Sequence, residues 1–190
     1  MFDLLCATPK EWTKKVCANL DEFLIDHAAC ERKASATAMS FVVKYRDHRE
    51  LVDAMIIVAQ EELEHFAQVT KIVHERGNQL GADHKDPYVN ALLRLARHSP
   101  RERLIDRLLI FGIIEGRGCE RFLLLSQSLD DRELQKFYED LVRAEARHHA
   151  AFLHIVRALA PEEEWRPRLQ ELLKEEAKII PSLPIRAALH

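Results

Sequence analysis

The chain has 190 residues, of which 47% are apolar and 31% are charged, and its formal net charge is −3 at pH 7. A chain of this length is most simply one domain, residues 1–190, and it is long enough to bury a core. The slight negative charge excludes a generally basic coat for nucleic acids but permits a local basic patch. Glycine and proline are scarce, at five and seven residues, and apolar residues recur at helical spacing almost throughout. The composition therefore predicts an all-α protein.

The cysteines and the hydropathy pattern bear on the compartment. The four cysteines, Cys6, Cys17, Cys30 and Cys119, lack C-x-x-C spacing. This argues against a rubredoxin-type or zinc-ribbon centre and is typical of reduced thiols. No apolar run approaches the length of a membrane span, and the N-terminus lacks the pattern of a secretory signal. We therefore expect a cytoplasmic protein with no membrane contact.

Helix start and stop signals predict four long helices and three shorter ones. In chain order we expect a short helix from Thr8-Pro9 to about residue 19, long helices at about 21–46 and 49–76, a short helix at 87–98, long helices at about 100–127 and 131–159, and a closing helix at about 166–180 before a loose tail. Gly77 should end the second long helix and Pro161 the fourth. Two hairpins of long helices predict a four-helix bundle with one long crossover between its second and third helices, plus short extra helices.

Two Glu-x-x-His elements, Glu62 with His65 and Glu145 with His148, interrupt helix stripes that are otherwise apolar. Residues three apart lie side by side on one face of a helix, so each pair is expected to point into the core. A buried carboxylate beside a buried imidazole is costly unless something compensates it, and a metal ion is the usual compensator. Each element therefore indicates a pair of metal ligands.

Single glutamates interrupt the other two long helices, Glu31 in the first and Glu115 in the third. Glu31 precedes the first hairpin turn by about as much as Glu62 follows it, and Glu115 and Glu145 are placed likewise about the second turn. All four carboxylates are therefore expected at one level of the bundle, as in di-metal carboxylate proteins. Four glutamates and two neutral histidines carry about four negative charges, which two divalent ions cancel. This mixture of donors suits iron or manganese.

Several choices stay open at this level. Glu120 competes with Glu115, but it lies off the apolar stripe and closer to the turn, so we prefer Glu115. His27 lies one turn before Glu31 and could support it, and Asp26 or Asp140 could hydrogen-bond a ligand histidine. The glycines around Glu115 are Gly112, Gly116 and Gly118. They indicate either close helix packing or a thinned wall that gives a substrate access.

A basic run lies at the start of the third long helix and just before it. It consists of Arg94, Arg97, Arg101, Arg103 and Arg107, against only Glu102 and Asp106. Such a run is commonly a solvated helix face. It is also what binding to a phosphate backbone requires on an otherwise acidic protein.

Five segments resemble the tRNA 2-methylthio-N6-isopentenyladenosine hydroxylases, a family of ferritin-like di-iron proteins. The segments are 24–27, 30–34, 61–65, 114–122 and 145–148. The Glu-x-x-His elements are shared with all di-iron bundles, whereas the Glu-x-Arg-x-Cys-Glu-Arg-Phe pattern of 115–122 is much more specific. Gly116 and Gly118 depart from the family, which often has alanine and serine there.

The resemblance implies a monooxygenase that hydroxylates the isopentenyl group of the modified adenosine at position 37 of tRNA. It implies a ferritin-like fold, two iron ions, dioxygen as co-substrate, and a reductase or ferredoxin as electron donor. The iron ligands would be Glu31, Glu62, His65, Glu115, Glu145 and His148. Two other interpretations are kept: a ferritin-like ferroxidase or peroxidase without a tRNA substrate, and a non-enzymatic helical binding protein. In the latter, arginines such as Arg117, Arg121 or Arg147 would pair with the buried carboxylates.

Overall fold

The structure, a computed structural model, describes residues 4–190, and every regular element in this range is an α-helix. In chain order the helices are α1 (Lys10–Ala18), α2 (Leu20–Lys44), α3 (Arg49–Glu75), α4 (Pro87–Leu93), α5 (Pro100–Ser126), α6 (Arg132–Leu159) and α7 (Glu162–Ser182). The all-α prediction is confirmed. None of the described helices is long and apolar enough to cross a membrane.

The chain forms two compact units, and each contains one hairpin of long helices. The first, which we call the α2–α3 unit, comprises Lys14–His84 and Arg186–Leu189. The second, the α5–α6 unit, comprises the residues up to Thr13, Lys85–Ile185 and His190. Organisation of 1–190 as a single domain stays a prediction.

In the α2–α3 unit, α2 packs along α3 and the two helices are joined by a four-residue connection, 45–48. Apolar residues spaced by about one helical turn form the core between them; Phe23, Leu24, Phe41, Met55 and Val69 are all fully buried. Gly77 has a φ of 78°. Its N–H donates to the carbonyl of His74, and that of Asn78 to Val73, so Gly77 ends α3 as predicted.

In the α5–α6 unit, α5 packs along α6 and also contacts α4 and α7. Most of α5 is buried, on all its faces. Asp131 caps α6 by accepting hydrogen bonds from the N–H groups of Glu133 and Leu134, and Asp86 caps α4 in the same way. These caps fix where the helices begin.

Three boundaries differ from the sequence prediction. Helix α4 ends at Leu93 rather than near residue 98, because the N–H and guanidinium of Arg97 donate to the buried carboxylate of Asp106. Helix α7 extends beyond 166–180 at both ends. The prediction of a loose tail is wrong: residues 187–189 are buried, and the N–H of Leu189 donates to Asp26.

Candidate metal centre

The α2–α3 unit brings three predicted ligands together in its interior. Glu31 comes from α2, and Glu62 and His65 come from α3; the three residues are 9% exposed or less. The Nδ1 atom of His65 lies 3.7 Å from an Oε2 atom of each glutamate, and one donor atom of each residue lies within 4.8 Å of the others. We call these residues the Glu31 cluster. The hairpin register places them at one level, because 31 and 62 are equally far from the connection.

His27 supports the Glu31 cluster from within α2. It is fully buried, one helical turn before Glu31, and its Nε2 atom lies 2.5 Å from Oε1 of Glu31. Such a contact fixes the orientation of a carboxylate that would otherwise rotate. The sequence indicated His27 as a supporting residue, and the geometry agrees with that interpretation.

The Glu31 cluster attracts positive charge. Burial opposes the charged form of Glu31, but its hydrogen bond with Glu62 and the neighbouring His27 outweigh this and lower the pKa of Glu31 to about 2. Burial would likewise lower the pKa of His65, but the hydrogen bonds and charges of Glu31 and Glu62 raise it to about 10. A site that holds a proton so firmly at its imidazole would also stabilise a bound cation.

The α5–α6 unit holds a second cluster of the same composition, which we call the Glu115 cluster. Glu115 comes from α5, and Glu145 and His148 come from α6. The three side chains are buried, with one donor atom of each within 4.8 Å of the others. His148 Nδ1 lies 3.8 Å from Glu145 Oε2. Glu115 thus lies beside Glu145, which agrees with the choice of Glu115 over Glu120 from their distances to the hairpin turn.

The donor sets of both clusters fit iron. Each consists of two glutamates and one histidine, so it offers hard carboxylate oxygens and an imidazole nitrogen, which is the mixture that Fe and Mn accept. Donor atoms bound to one ion at ordinary Zn–N and Zn–O distances lie no more than about 4 Å apart. Donors already within 4.8 Å of one another therefore need only small side-chain movements to share an ion.

Glu120 belongs to a different group of polar side chains, which we call the Arg117 network. Its carboxylate accepts from the N–H and the hydroxyl of Thr8 and pairs with the guanidinium of Arg117. Arg117 also pairs with Glu176 of α7, 2.8 Å away, and Glu176 accepts from the Tyr88 hydroxyl. Arg117, Glu176 and Tyr88 are fully buried. Glu120 thus has fixed partners that a metal ligand would have to give up.

Sequence reasoning missed Glu176 and Tyr88. The signal for Glu176 was present, since it interrupts the buried stripe of α7 that includes Leu172, Leu173 and Ile180. The sequence did raise Arg117 as a partner for buried carboxylates. The structure gives it Glu176 and Glu120 rather than a residue of the two clusters.

The predicted basic run contains arginines that pair with carboxylates and arginines that are exposed, and Arg101 is both. Arg97 pairs with Glu102 and Asp106, and Arg101 with Glu164 of α7. Arg94 and Arg103 are exposed. The guanidinium of Arg107 lies over the ring of Phe111, 5.9 Å from its centre.

Asp140 and Asp26, the other candidates from the sequence, have structural partners, and so does His149, the neighbour of His148. Asp140 pairs on the surface with Lys136 and Arg143 rather than with a ligand histidine, and the carboxylate of Asp26 accepts from Leu189. Nδ1 of His149 lies 2.6 Å from the carbonyl of Gly112. These contacts account for the positions of all three side chains.

Comparison with known proteins gives consistent matches. The chain matches the tRNA-(MS2IO6A)-hydroxylase (MiaE) family over residues 2–190. The tRNA 2-(methylsulfanyl)-N(6)-isopentenyladenosine(37) hydroxylase of Pseudomonas putida is 39% identical over 150 residues, which cover 79% of this chain and 73% of that protein. The protein of the same name from Salmonella typhimurium is 29% identical over 209 residues, covering 84% and 77%.

A solved structure also matches over the full chain. It is described as protein 43 with aldehyde deformylating oxygenase activity from Synechococcus, and it is 33% identical, with a TM-score of 0.94. The match covers 100% of this chain and 96% of that one. With the helical structure, it confirms the predicted ferritin-like fold. The chain belongs to the tRNA-(MS2IO6A)-hydroxylase (MiaE) family.

Proposed function

We propose that this chain is a di-iron monooxygenase that hydroxylates the isopentenyl group of 2-methylthio-N6-isopentenyladenosine at position 37 of tRNA. The observation that carries the proposal is the family match over residues 2–190. Relatives that bear this name, at 39% and 29% identity, support it. The buried Glu31 and Glu115 clusters supply the kind of site that the chemistry requires.

An unactivated C–H bond is beyond the acids and bases among protein side chains, so the reaction needs a redox metal. We propose that Glu31, Glu62, His65, Glu115, Glu145 and His148 hold two iron ions. Bound iron would supply the activation of dioxygen: one oxygen atom enters the C–H bond, and the other leaves as water after two electrons and two protons arrive.

The protein residues set the geometry of this site. Glu31, Glu62, Glu115 and Glu145 would hold the ions through carboxylate oxygens, with one histidine for each ion. His27 holds the Glu31 carboxylate in place through the contact of 2.5 Å. Because these residues are buried, water competes weakly for the ligands, and their charges interact strongly with the ions.

The substrate contacts proposed for tRNA are the arginines of the basic run. Arg94 and Arg103 are exposed and available to phosphates. Arg97 and Arg101 would contribute by exchanging a carboxylate partner for a phosphate, which is an exchange between similar charge-assisted hydrogen bonds. Binding that depends on these arginines should weaken as salt rises.

The electrons must come from a partner, because no residue of the two clusters can deliver two electrons per turnover. We propose a reductase or ferredoxin as the donor, with dioxygen as co-substrate. An enzyme acting on mature tRNA would work in the cytoplasm.

The test is mass spectrometry of nucleosides from tRNA of cells with and without the gene. The proposal expects the hydroxylated nucleoside to disappear on deletion and the prenylated nucleoside to accumulate. It also expects the purified chain, given iron, dioxygen and a chemical or protein reductant, to restore the hydroxylated form. An unchanged ratio of the two nucleosides in the deletion strain would overturn the proposal.

A second candidate is an oxygenase that removes the formyl group of an aldehyde. The specific observation in its favour is the solved structure at 33% identity and a TM-score of 0.94, whose description names aldehyde deformylating activity. Incubation with a fatty aldehyde separates the two functions. Formation of alkane and formate, without hydroxylation of tRNA, would favour this second candidate.

A further inference from the structure

Two glycines of α5 have different surroundings. At Gly112, a Cβ atom would lie 3.5 Å from Cβ of Phe152 and 3.9 Å from Nδ1 of His149, so α6 packs against this position. At Gly118, a Cβ atom would have no heavy atom within 4 Å, apart from its chain neighbours and the nearby backbone of its own helix. A Cβ atom would therefore be in ordinary van der Waals contact at Gly112 but in open space at Gly118.

Gly118 is nevertheless buried. Glycine is less favourable than alanine in the interior of a helix because it loses more backbone freedom on folding. At Gly118 neither a neighbouring atom nor a positive φ requires glycine. The missing side chain thus leaves open space inside the protein, where packing is normally dense.

The space lies beside the Glu115 cluster. Gly118 follows Glu115 by three residues, so the two positions are neighbours on one face of α5. Ile114 and Phe122, four residues away on either side, border the same position and are both buried. Arg121 is the polar neighbour, but its guanidinium is placed over the ring of Trp12. Apart from Arg121, the side chains of α5 that border Gly118 next to Glu115 are therefore apolar.

We propose that the space beside Gly118 receives the apolar prenyl chain of the substrate and that Gly118 is a specificity-determining residue. The inference rests on the proposed function and adds to it the position where the reacting chain lies. An apolar chain beside Glu115 gains by leaving water. A side chain at residue 118 would occupy the same room, and larger side chains would leave less of it.

The variants Gly118→Ala, Gly118→Val and Gly118→Leu test this inference. The matched control is Gly112→Ala, the same type of change on the same helix at a packed position. The first measurement is the affinity for N6-isopentenyladenosine, with adenosine as the comparison, by calorimetry. The second is kcat/KM for hydroxylation of prenylated tRNA. Iron content and the circular dichroism melting curve show which variants are folded.

The wild type should bind N6-isopentenyladenosine more tightly than adenosine. A difference of one methylene in an apolar pocket changes discrimination roughly 10- to 200-fold. Gly118→Leu should reduce both the affinity and kcat/KM by about 10-fold or more. Gly118→Ala should reduce them less, and Gly112→Ala should leave both unchanged. If the leucine variant does not fold, the alanine and valine variants decide, because the space accepts a Cβ atom.

Three outcomes separate this inference from the proposed function. The inference alone would be overturned if a folded Gly118→Leu variant bound the nucleoside and hydroxylated tRNA like the wild type. If the leucine variant does not fold, the same result with folded alanine and valine variants would overturn it. Equal affinity of the wild type for adenosine and N6-isopentenyladenosine would also overturn it. If the wild type does not hydroxylate tRNA but loses prenyl binding on Gly118→Leu, the proposed function fails and the inference holds.

Discussion

The Glu31 cluster and the Arg117 network are both buried polar groups, but they differ in how their negative charge is neutralised. In the Arg117 network, one guanidinium contacts the carboxylates of Glu120 and Glu176, so a permanent cation is part of the structure. In the Glu31 cluster, the donors near the two carboxylates are imidazoles, which are charged only when protonated. The negative charge of the network is therefore balanced within the chain, whereas the cluster is suited to take up a cation.

The two kinds of polar group should therefore differ in what a substitution changes, which is stability for one and metal binding for the other. Breaking a buried ion pair is costly because one charge is left without compensation, so the Arg117 network should act on stability. It joins α5 to α7 and to the segment around Thr8. The Glu31 and Glu115 clusters, with four carboxylates in total, should act on metal binding. Substitutions in the two groups should therefore have separate effects, one on iron content and the other on stability.

Substitution of Glu115 should have the largest effect. Glu115→Ala removes a proposed iron ligand, so we expect turnover to be abolished and the iron content per chain to fall. The measurements are hydroxylated nucleoside formed per enzyme and iron by atomic emission. The control is Glu120→Ala, which should keep both iron and activity, although it removes a partner of Arg117 and Thr8. Loss of iron in the Glu120 variant and not in the Glu115 variant would show that the assignment is reversed.

Substitution of Glu176 should reduce stability instead. Glu176→Ala leaves the buried guanidinium of Arg117 without its innermost partner, which should lower the free energy of unfolding by about 3–5 kcal/mol. Urea denaturation of the metal-free protein measures this. The neighbouring Glu175 is only partly buried, with a side chain 44% exposed, and pairs with Lys178, so Glu175→Ala should change stability by less than about 0.5 kcal/mol. A Glu176 variant as stable as the wild type would contradict the structural role of the network.

Substitution of His27 should weaken iron binding by an intermediate amount. Removing a residue that orients a metal ligand typically costs about 10- to 100-fold in affinity or activity, and we expect this of His27→Ala. Titration with Fe(II) under anaerobic conditions measures it. His74→Ala, on the exposed face of α3, is the control and should bind iron like the wild type. Equal iron affinity of the two variants would show that the 2.5 Å contact with Glu31 does not serve the site.

The smallest effect should appear as acid sensitivity of the α4 cap. Burial raises the pKa of Asp86, but His190 and the N–H groups of Val89 and Tyr88 outweigh it and lower this pKa from 3.8 to about 2. Because the pKa of Asp86 is lower in the folded protein than in the unfolded chain, its carboxylate stabilises the fold at pH values above 3.8. This contribution disappears as the pH falls from 3.8 towards 2. This pKa shift corresponds to a contribution of about 2 kcal/mol to the free energy of unfolding. Asp86→Asn should keep the cap and remove this part of the pH dependence of unfolding.

The partner of Asp86 provides an independent check. His190 lies 3.2 Å from the Asp86 carboxylate and stacks on Tyr88. His190→Ala should flatten the same part of the pH profile while leaving iron binding unchanged. A profile as steep as that of the wild type would mean that the acid sensitivity arises elsewhere.

The helices and the candidate ligands could be predicted from sequence because their signals are local. Gly77 and Asp86 mark helix ends by their own conformational and capping preferences. Glu115 could be preferred over Glu120 because hairpin register relates its height to that of Glu145. The end of α4 could not be predicted, since it depends on Asp106, which lies nine residues beyond Arg97.

Long-range pairing limited the rest. Arg117 and Glu176 are 59 residues apart, and nothing local indicates that α7 brings a carboxylate to this guanidinium. The burial of residues 187–189 likewise depends on a contact with Asp26, 163 residues away from Leu189. The different surroundings of Gly112 and Gly118 required coordinates as well, because both glycines look alike in sequence.

Whether the two clusters hold iron can be measured as the iron content of the purified wild-type chain after anaerobic reconstitution, compared with that of Glu115→Ala and Glu176→Ala. We expect two iron ions per chain in the wild type and in the folded Glu176 variant, and fewer in the Glu115 variant. A wild-type chain that holds well under one iron ion would contradict it.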